Sequence, residues 1–397
     1  MAEAIETNGR AGGTPLDVEQ AVRQRYSTAS QAAQPALCCP VQYDGRYLEV
    51  LPPELIECDY GCGDPSGQVA HGETVLDLGS GSGKICYIAS QIVGPAGRVI
   101  GVDMNDDMLD LARKHQCQVG KRIGHNNIEF RKGRIQDLAL DLERFEAHLR
   151  QNPVCTADDW LKAQTYADQM RRTAPMIASD SIDVVLSNCV LNLVEPSGRR
   201  RLFEEMYRVL DRGGRAVISD IVSDEPVPET LRNDPQLWSG CISGAFVEHE
   251  LLEAFAGADF YGIEILSRQA KPWATVEGIQ FRSVVVRAYK GKQGPCLEHN
   301  QAVIYNGPWK SVTDDDGHTL HRGIRSAVCG KTYEIYNRPP YADEIIAVPP
   351  HEPVRAEDAQ PFDYPAGAVR DPHQTKGLTF NKTQLPTADC CGPDGCF

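Results

Sequence analysis

Three cysteines, Cys62, Cys189 and Cys241, stand in segments that could bring their thiols to one site. Cys62 lies between two glycines in "DYGCGDPSG", Cys189 follows Asn188 in the apolar run "VLSNCVLNLV", and Cys241 follows a glycine in "LWSGCISGA". A cysteine among apolar residues is usually a small buried hydrophobe, so each residue alone indicates only packing. Their common position relative to the predicted strands indicates chemistry instead.

Three thiolates suit a soft centre that takes three ligands. Zinc ordinarily requires a fourth ligand, and the sequence has no Cys-x-x-Cys pair of the usual zinc spacing. Trivalent arsenic is thiophilic and pyramidal, and it keeps a nucleophilic lone pair opposite its ligands. The three cysteines therefore predict a site suited to trivalent arsenic.

A glycine-rich loop is the second chemical signal. Gly79, Gly81 and Gly83 directly follow the short apolar strand predicted at 75–78, in the order G-x-G-x-G. Glycines let the backbone turn sharply and approach a ligand closely. Asp103 ends the next predicted strand, 20 residues beyond Gly83, where a carboxylate can accept hydrogen bonds from both hydroxyls of a ribose. The spacing predicts an adenosine-type cofactor, whereas the alternative is a tight turn with no ligand.

Asp77, just before the loop, separates the two candidate cofactors, NAD and S-adenosylmethionine. A carboxylate at this position suits the cationic amine of a methionine group and repels a pyrophosphate. The G-x-G-x-G order also differs from the G-x-G-x-x-G of dinucleotide-binding loops. Both observations favour S-adenosylmethionine.

The elements that must position these residues alternate between strand and helix. This alternation predicts an α/β fold with a doubly wound, Rossmann-like parallel sheet. Ligands of such sheets bind at the carboxyl ends of the strands, where Cys189 follows the fourth predicted strand and Cys241 lies beyond the fifth. The segment at about 138–178 predicts two extra helices with a break near Asn152 and Pro153, and we interpret it as an insertion.

Composition changes along the chain predict four regions. They are an N-terminal lead-in at 1–70 that carries Cys38, Cys39 and Cys62, an α/β domain at 71–290 that contains the glycine loop, a small β-rich domain at 291–350, and a Pro-rich tail at 351–397 that ends in Cys390, Cys391 and Cys396. Cys86 and Cys117 are predicted to be packing or incidental thiols. Cys155, Cys296 and Cys329 carry no assignment.

Charge and hydropathy limit the partners and the compartment. The 55 acidic and 40 basic residues give a net charge of -15, which argues against nucleic acid or an anionic membrane as the main partner. The N-terminal residues lack a secretory signal pattern, and no run of about 18 apolar residues occurs. We therefore expect a cytoplasmic protein whose 14 cysteines are thiols rather than structural disulfides.

The sequence resembles the arsenite S-adenosylmethionine methyltransferases, a family of class I methyltransferases. The matching segments are "DYGCGDP", "VLDLGSGSG", "GVDM", "SNCVLNLV" and "LWSGC", in the family order. "NQAVIYNG" and "CCGPDGC" are similar to the small C-terminal domain and the cysteine-rich tail of that family. The resemblance thus covers roughly residues 38–397.

The resemblance implies a role for each matched residue. Cys62, Cys189 and Cys241 are expected to bind or exchange arsenic. The family commonly has one cysteine where this chain has the pair Cys38 and Cys39. One of the two is expected to supply a further thiol for disulfide exchange. The residues expected to contact the cofactor are Tyr60, Asp77, Gly79, Gly81, Gly83, Asp103, Met104, Ile135, Gln136 and Asn188.

The expected mechanism requires positioning more than acid–base catalysis. Arsenite, free or conjugated to thiols, exchanges its oxygens for thiolates, and its lone pair attacks the sulfonium methyl in line. Thiols then return the arsenic to the trivalent state, and thioredoxin or glutathione reduces the resulting disulfides. We expect a monomer that forms methylated arsenicals and serves in detoxification.

Two other functions remain open at this point. One is methyl transfer to another soft or small substrate, such as selenite or an organoarsenical. The other is a thiol-based metalloid trap without catalysis, against which the intact glycine loop and Asp103 count. The terminal cysteines at 388–397 predict a tethered cluster that captures arsenite, the alternative being a chain end with incidental cysteines.

Overall fold

The computed structural model describes residues 17–31, 34, 41 and 43–385. Cys38, Cys39 and the three terminal cysteines lie outside the described residues. The chain divides into two compact units, one that ends at Gly291 and one that begins at Lys292.

The described part of the first unit is built on a nine-stranded sheet. Its strands are β1 (Thr74–Leu78), β2 (Arg98–Asp103), β3 (Ile128–Lys132), β4 (Ile182–Asn188), β5 (Leu210–Ser223), β6 (Phe246–Val247), β7 (Tyr261–Arg268), β8 (Ala274–Val276) and β9 (Ile279–Tyr289). The main order is β3-β2-β1-β4-β5-β9-β7, with β6 beside β5 and β8 beside β9. Strands β1 to β5 pair in parallel, and β9 runs antiparallel to β5 and β7. This confirms the predicted doubly wound, Rossmann-like fold.

Helices cover the sheet, and most of them follow one of its strands in the sequence. They are α1 (Val18–Ala29), α2 (Gly45–Leu48), α3 (Pro53–Glu57), α4 (Lys84–Val93), α5 (Asp106–Ile123), α6 (Leu142–Gln151), α7 (Ala157–Thr173), α8 (Pro196–Val209), α9 (Glu229–Arg232), α10 (Pro235–Ser239) and α11 (Glu248–Ala256), with 3-10 turns at Ser66–Gln68 and Leu191–Leu193. Helices α6 and α7 occupy the segment predicted as an insertion. None of the described helices is long and apolar enough to cross a membrane.

The strand β1 shows how the sequence sets the layers. Its side chains alternate between the two faces of the sheet, so that Leu76 and Leu78 join one core cluster and Val75 joins the other. Because both faces of the sheet are covered here, the sequence of β1 is a nearly continuous apolar run. Asp77 interrupts that run although it is only 2% exposed. The order reverses between β1 and β4, which leaves a crevice at their carboxyl ends.

The second unit contains short antiparallel strands. Its elements are β10 (Leu297–Glu298), β11 (Ala302–Tyr305), β12 (Ser311–Thr313), β13 (Thr319–His321), β14 (Arg325–Ala327), α12 (Gly330–Tyr336), a 3-10 turn at Ala342–Glu344, β15 (Ile345–Val348), β16 (Gln360–Pro361) and α13 (Pro372–Lys376). Strands β14, β11 and β15 form a three-stranded sheet, while β10 pairs with β16 and β12 with β13. The β-rich character expected of the C-terminal part is confirmed. The segment predicted as a tail contributes β16 and α13 to this unit.

Candidate active site

A cavity of about 610 Å³ lies at the carboxyl ends of β1 to β4. Residues that follow each of these strands line it, together with α1 and the 58–61 segment. The lining includes most of the residues predicted for the cofactor, namely Tyr60, Asp77, Gly79, Gly81, Asp103, Met104, Ile135, Gln136 and Asn188. Gly83 is the exception, because it caps α4 instead of forming part of the cavity wall.

The three loop glycines have positive φ angles, of 69° at Gly79, 51° at Gly81 and 85° at Gly83. A Cβ atom at Gly79 would lie 2.5 Å from Val190, and one at Gly83 would lie 2.7 Å from Phe130. A Cβ atom at Gly81 would meet no described atom within 4 Å. Gly79 and Gly83 thus permit close packing, whereas the space next to Gly81 is open to a ligand.

Asp103 holds the glycine loop and the start of α5 together. Its carboxylate accepts hydrogen bonds from the backbone N–H groups of Gly81 at 2.9 Å and Asn105 at 2.8 Å. Burial raises its pKa, and these backbone hydrogen bonds act in the opposite direction. Asn105 caps α5 and also donates to the carbonyl of Arg23 in α1 at 3.0 Å. These hydrogen bonds fix the position of this part of the cavity wall.

Asp77 is a buried carboxyl group beside the cavity. The thiol of Cys86, which the sequence assigned to packing, donates a hydrogen bond to its Oδ2 at 3.2 Å. Burial raises the pKa of Asp77 to about 8, the hydrogen bond from Cys86 lowers it, and the nearby carboxylates Asp59 and Asp103 raise it. A cation placed here would gain a buried counter-charge.

Asn188 connects the Cys62 loop to the end of β4. Its Oδ1 accepts from the backbone N–H groups of Cys62 at 2.9 Å and Gly63 at 3.3 Å, and its Nδ2 donates to the carbonyl of Gly63 at 2.7 Å. Glycine is required at position 61, because a Cβ atom there would lie 2.3 Å from Nδ2 of Asn188. The Cys62 sulfur lies 3.6 Å from Oγ of Ser219 on β5. These contacts fix the Cys62 loop against two strand ends.

Cys189 and Cys241 both have left-handed backbones, with φ angles of 60° and 63°. This conformation costs a non-glycine residue roughly 1–2 kcal/mol, and such strain concentrates at functional sites. Hydrogen bonds hold it in place. The N–H of Cys189 donates to Ser219 at 2.8 Å, the N–H of Cys241 donates to Trp238 at 3.0 Å, and the Cys241 thiol donates to the carbonyl of Cys189 at 3.3 Å.

The structure brings the three predicted cysteines into one buried cluster. The exposed fractions of Cys62, Cys189 and Cys241 are 5%, 7% and 5%. Cys189 also lines the cavity. The sulfur atoms of Cys62 and Cys189 and a carboxylate oxygen of Asp220 all lie within 4.8 Å of one another. Two thiols and a carboxylate therefore face one small volume beside the cavity, with Cys241 adjacent.

Asp220 is a site residue that the sequence analysis missed. It is 1% exposed and accepts hydrogen bonds from the backbone of Ile221 and Leu191, each at 2.8 Å, and from the side chain of Asn192 at 2.9 Å. Burial raises its pKa to about 6, while these hydrogen bonds and the charge of Arg199 lower it. The signal was an aspartate within the apolar strand "AVISDIV", since a charged residue is seldom fully buried without a reason.

Tyr26 of α1 is a second missed residue. It lines the cavity and packs edge-to-face on Tyr60, with ring centroids 6.1 Å apart. Burial raises its pKa well above the usual value, and the neighbouring Cys241 and Cys189 add to the effect. Only long-range packing brings α1 here, so no local sequence pattern reveals this position.

Comparisons with known proteins agree with the fold and identify the family. A family described as a methyltransferase domain matches residues 70–273, and a family described as a domain of unknown function matches residues 292–380. The arsenite methyltransferase of Aquipseudomonas alcaligenes is 30% identical over 75% of this chain and 80% of its own length. That of Halobacterium salinarum is 37% identical over 63% of this chain and 59% of its own length.

A solved structure extends the agreement to three dimensions. An arsenic(III) S-adenosylmethionine methyltransferase from Chlamydomonas reinhardtii aligns with a TM-score of 0.53 and 25% identity, covering 82% of this chain and 100% of that one. The fold and the cavity define this protein as a Rossmann-like methyltransferase that uses S-adenosylmethionine. More specifically, the chain belongs to the arsenite methyltransferase family.

Proposed function

We propose that this protein transfers methyl groups from S-adenosylmethionine to trivalent arsenic bound by Cys62, Cys189 and Cys241. The observation that carries the proposal is the convergence of the Cys62 and Cys189 sulfurs beside the cavity, within 4.8 Å of each other. The three cysteines come from separate segments of the chain, and two of them keep a strained backbone. Packing alone gives no reason for such an arrangement.

The polar groups and the open space of the cavity suit the cofactor. Asp103 lines the cavity and is expected to accept hydrogen bonds from the ribose hydroxyls. The space at Gly81 is open to the ligand, and the buried hydroxyl of Ser80 has no partner among the described residues. Asp77 provides a buried carboxyl group for the methionine amine. When bound, S-adenosylmethionine supplies a methyl group on a positively charged sulfur. Met104, Ile135 and Gln136 also line the cavity, and we expect them to contact the adenosine.

The cysteines bind the substrate by thiol exchange. Each thiol replaces one hydroxyl of arsenite, so that an As–S bond forms, an As–O bond breaks, and the thiol proton leaves with the hydroxyl as water. Burial of all three side chains excludes water from the product of this exchange. The arsenic lone pair then points away from the sulfurs, and Cys189, which lines the cavity, orients it toward the cofactor.

Asp220 is suited to stabilise charge on the substrate. Positive charge accumulates on arsenic as its lone pair forms the new bond to carbon. An ionised carboxylate within 4.8 Å of two of the arsenic-binding sulfurs favours that change, and a fixed charge in a buried site acts more strongly than one in water. Three hydrogen bonds to Asp220 keep it in position.

Later steps require electrons from thiols. Methyl transfer raises arsenic to the pentavalent state, and two thiolates that join as a disulfide return it to the trivalent state. We propose that Cys38 or Cys39 takes part, and that thioredoxin or glutathione reduces the disulfide. The same proposal places the enzyme in the cytoplasm, because such a cycle needs a reducing compartment. It also takes the enzyme to be a monomer.

The test is substitution of Cys189 in two ways. Cys189→Ser keeps the size of the side chain but is a poor ligand for trivalent arsenic, and Cys189→Gly also removes the backbone strain at φ 60°. We expect both variants to lose arsenite methylation while they keep S-adenosylmethionine affinity and thermal stability. Cys117→Ser, which changes an exposed cysteine, is the matched control. Full activity in Cys189→Ser, with a lowered melting temperature, would show that Cys189 only packs.

A further inference from the structure

Two cysteines of the second unit lie next to each other in space, although 33 positions separate them in the sequence. Cys296 directly precedes β10, and Cys329 directly precedes α12. The Nζ of Lys331 donates to the carbonyl of Gly294 at 3.3 Å, and a Cβ atom at Gly330 would lie 3.7 Å from the carbonyl oxygen of Leu297. These contacts hold the segments 294–297 and 329–331 side by side.

The side chains of Cys296 and Cys329 stand at adjoining positions of these two segments, and the Cys329 side chain raises the pKa of the Cys296 thiol. The Cys329 sulfur is further held by the backbone N–H of Thr332 at 3.4 Å and lies 3.2 Å from the hydroxyl of Thr332. Cys296 is exposed and Cys329 is buried. One thiol of the pair is thus open to solvent, and the other has a fixed position behind it.

The surroundings suit a ligand that needs two sulfurs. Within the described part of the chain, no histidine or carboxylate joins these two sulfurs to form a group of three ligand atoms within 4.8 Å, so a zinc site with four ligands is not formed. Burial raises the pKa of the Cys296 thiol, its neighbour Cys329 raises it further, and Lys331 acts in the opposite direction. Both cysteines are reduced and not joined in a disulfide.

We propose that Cys296 and Cys329 form a second arsenical site, which binds trivalent organoarsenicals that have one carbon substituent and two exchangeable oxygens. A monosubstituted arsenical, R–As(OH)2, reacts with both thiols. Two As–O bonds break, two As–S bonds form, each thiol proton leaves with a hydroxyl as water, and arsenic remains trivalent. Two thiols therefore satisfy this ligand completely, whereas arsenite would keep one hydroxyl. Arsenical binding by Cys296 and Cys329 does not require methyl transfer, so it can be tested independently of the proposed function.

The test uses phenylarsine oxide and the reduced full-length chain. Phenylarsine oxide joins two thiols and releases one water. After trypsin digestion, a phenylarsenic bridge should connect the peptide at 293–310 with the peptide at 326–331. Intact-mass measurement should show that Cys296→Ser and Cys329→Ser each bind one phenylarsenical fewer than the wild type in the presence of excess glutathione. Chelation favours the dithiol over single thiols by a factor on the order of 10² or more.

The variants are chosen so that folding does not decide the result. Cys296 is exposed, and Cys329 occupies the N-cap position of α12, where serine is among the preferred residues. Cys155→Ser, at another exposed cysteine, is the matched control and should bind as many phenylarsenicals as the wild type. Equal uptake by Cys296→Ser and the wild type, or absence of the bridged peptide, would overturn the proposal even if arsenite methylation is confirmed.

Discussion

The buried carboxyl group of Asp77 should make cofactor binding depend on pH. Its pKa is raised from 3.8 to about 8, mainly by burial, so the unliganded protein carries it in the protonated form at neutral pH. A methionine amine beside it favours the ionised form. Binding of S-adenosylmethionine should therefore release close to one proton per site at pH 7.

The size of the effect follows from the same pKa. One pKa unit corresponds to about 1.36 kcal/mol, so affinity should rise about tenfold for each pH unit between roughly pH 5 and 8 and then level off. The stability of the unliganded chain should change in the opposite sense. The folded state binds more protons than the unfolded state between about pH 4 and 8, and stability should fall as pH rises through this range.

Calorimetry in two buffers of different ionisation enthalpy measures the proton release directly. Asp77→Asn is the control, because it keeps the shape of the side chain and an oxygen for the Cys86 thiol but cannot titrate. The variant should bind more weakly at pH 8 and show little proton release. If the wild type releases no proton and binds equally well at pH 6 and pH 8, the role of Asp77 as partner of the amine is wrong.

Three further predictions concern the cofactor, the substrate and the tail. Asp103→Ala should weaken S-adenosylmethionine binding by about 2–4 kcal/mol, because charge-assisted hydrogen bonds to the ribose are lost; unchanged affinity by calorimetry in a folded variant would remove that assignment. Asp220→Asn should lower the kcat of arsenite methylation by a factor on the order of 10² with little change in cofactor affinity, and a kcat equal to that of the wild type would contradict its electrostatic role. Deletion of 388–397 should reduce the rate only when arsenite is scarce, and equal rates at every arsenite concentration would show that the terminal cysteines do not deliver substrate.

The sequence predicted the sheet and the convergence of the candidate site residues for a simple physical reason. In a parallel sheet, loops at the carboxyl ends of strands meet at one edge, so local patterns at Gly79, Asp103 and Cys189 are enough to place these residues together. The three-cysteine cluster was predictable by the same rule. The lining of the cavity by Tyr60, Ile135 and Gln136 came from the family resemblance and not from spacing.

Other features depend on contacts that the sequence pattern does not encode. Helix α1 reaches the cavity through hydrogen bonds from Asn105 to Arg23 and from Arg25 to the carbonyl of Gln236, and polar partners so distant in sequence leave no periodic signal. The left-handed backbone conformations of Cys189 and Cys241 could not be predicted from the sequence either, because glycine is the usual residue at such angles. The approach of Cys296 to Cys329 depends on how β10 lies next to α12.

Methyl transfer to arsenic is measured most directly with the purified, reduced full-length protein, S-adenosylmethionine labelled in its methyl group, and arsenite. After incubation with thiols, the arsenic species are separated and the label in each is counted. We predict labelled mono- and dimethylated arsenicals in the wild type and unlabelled arsenite alone in Cys189→Ser. Binding of both S-adenosylmethionine and arsenite by the wild type, with no label in any arsenic species, would contradict the account and leave a thiol trap in its place.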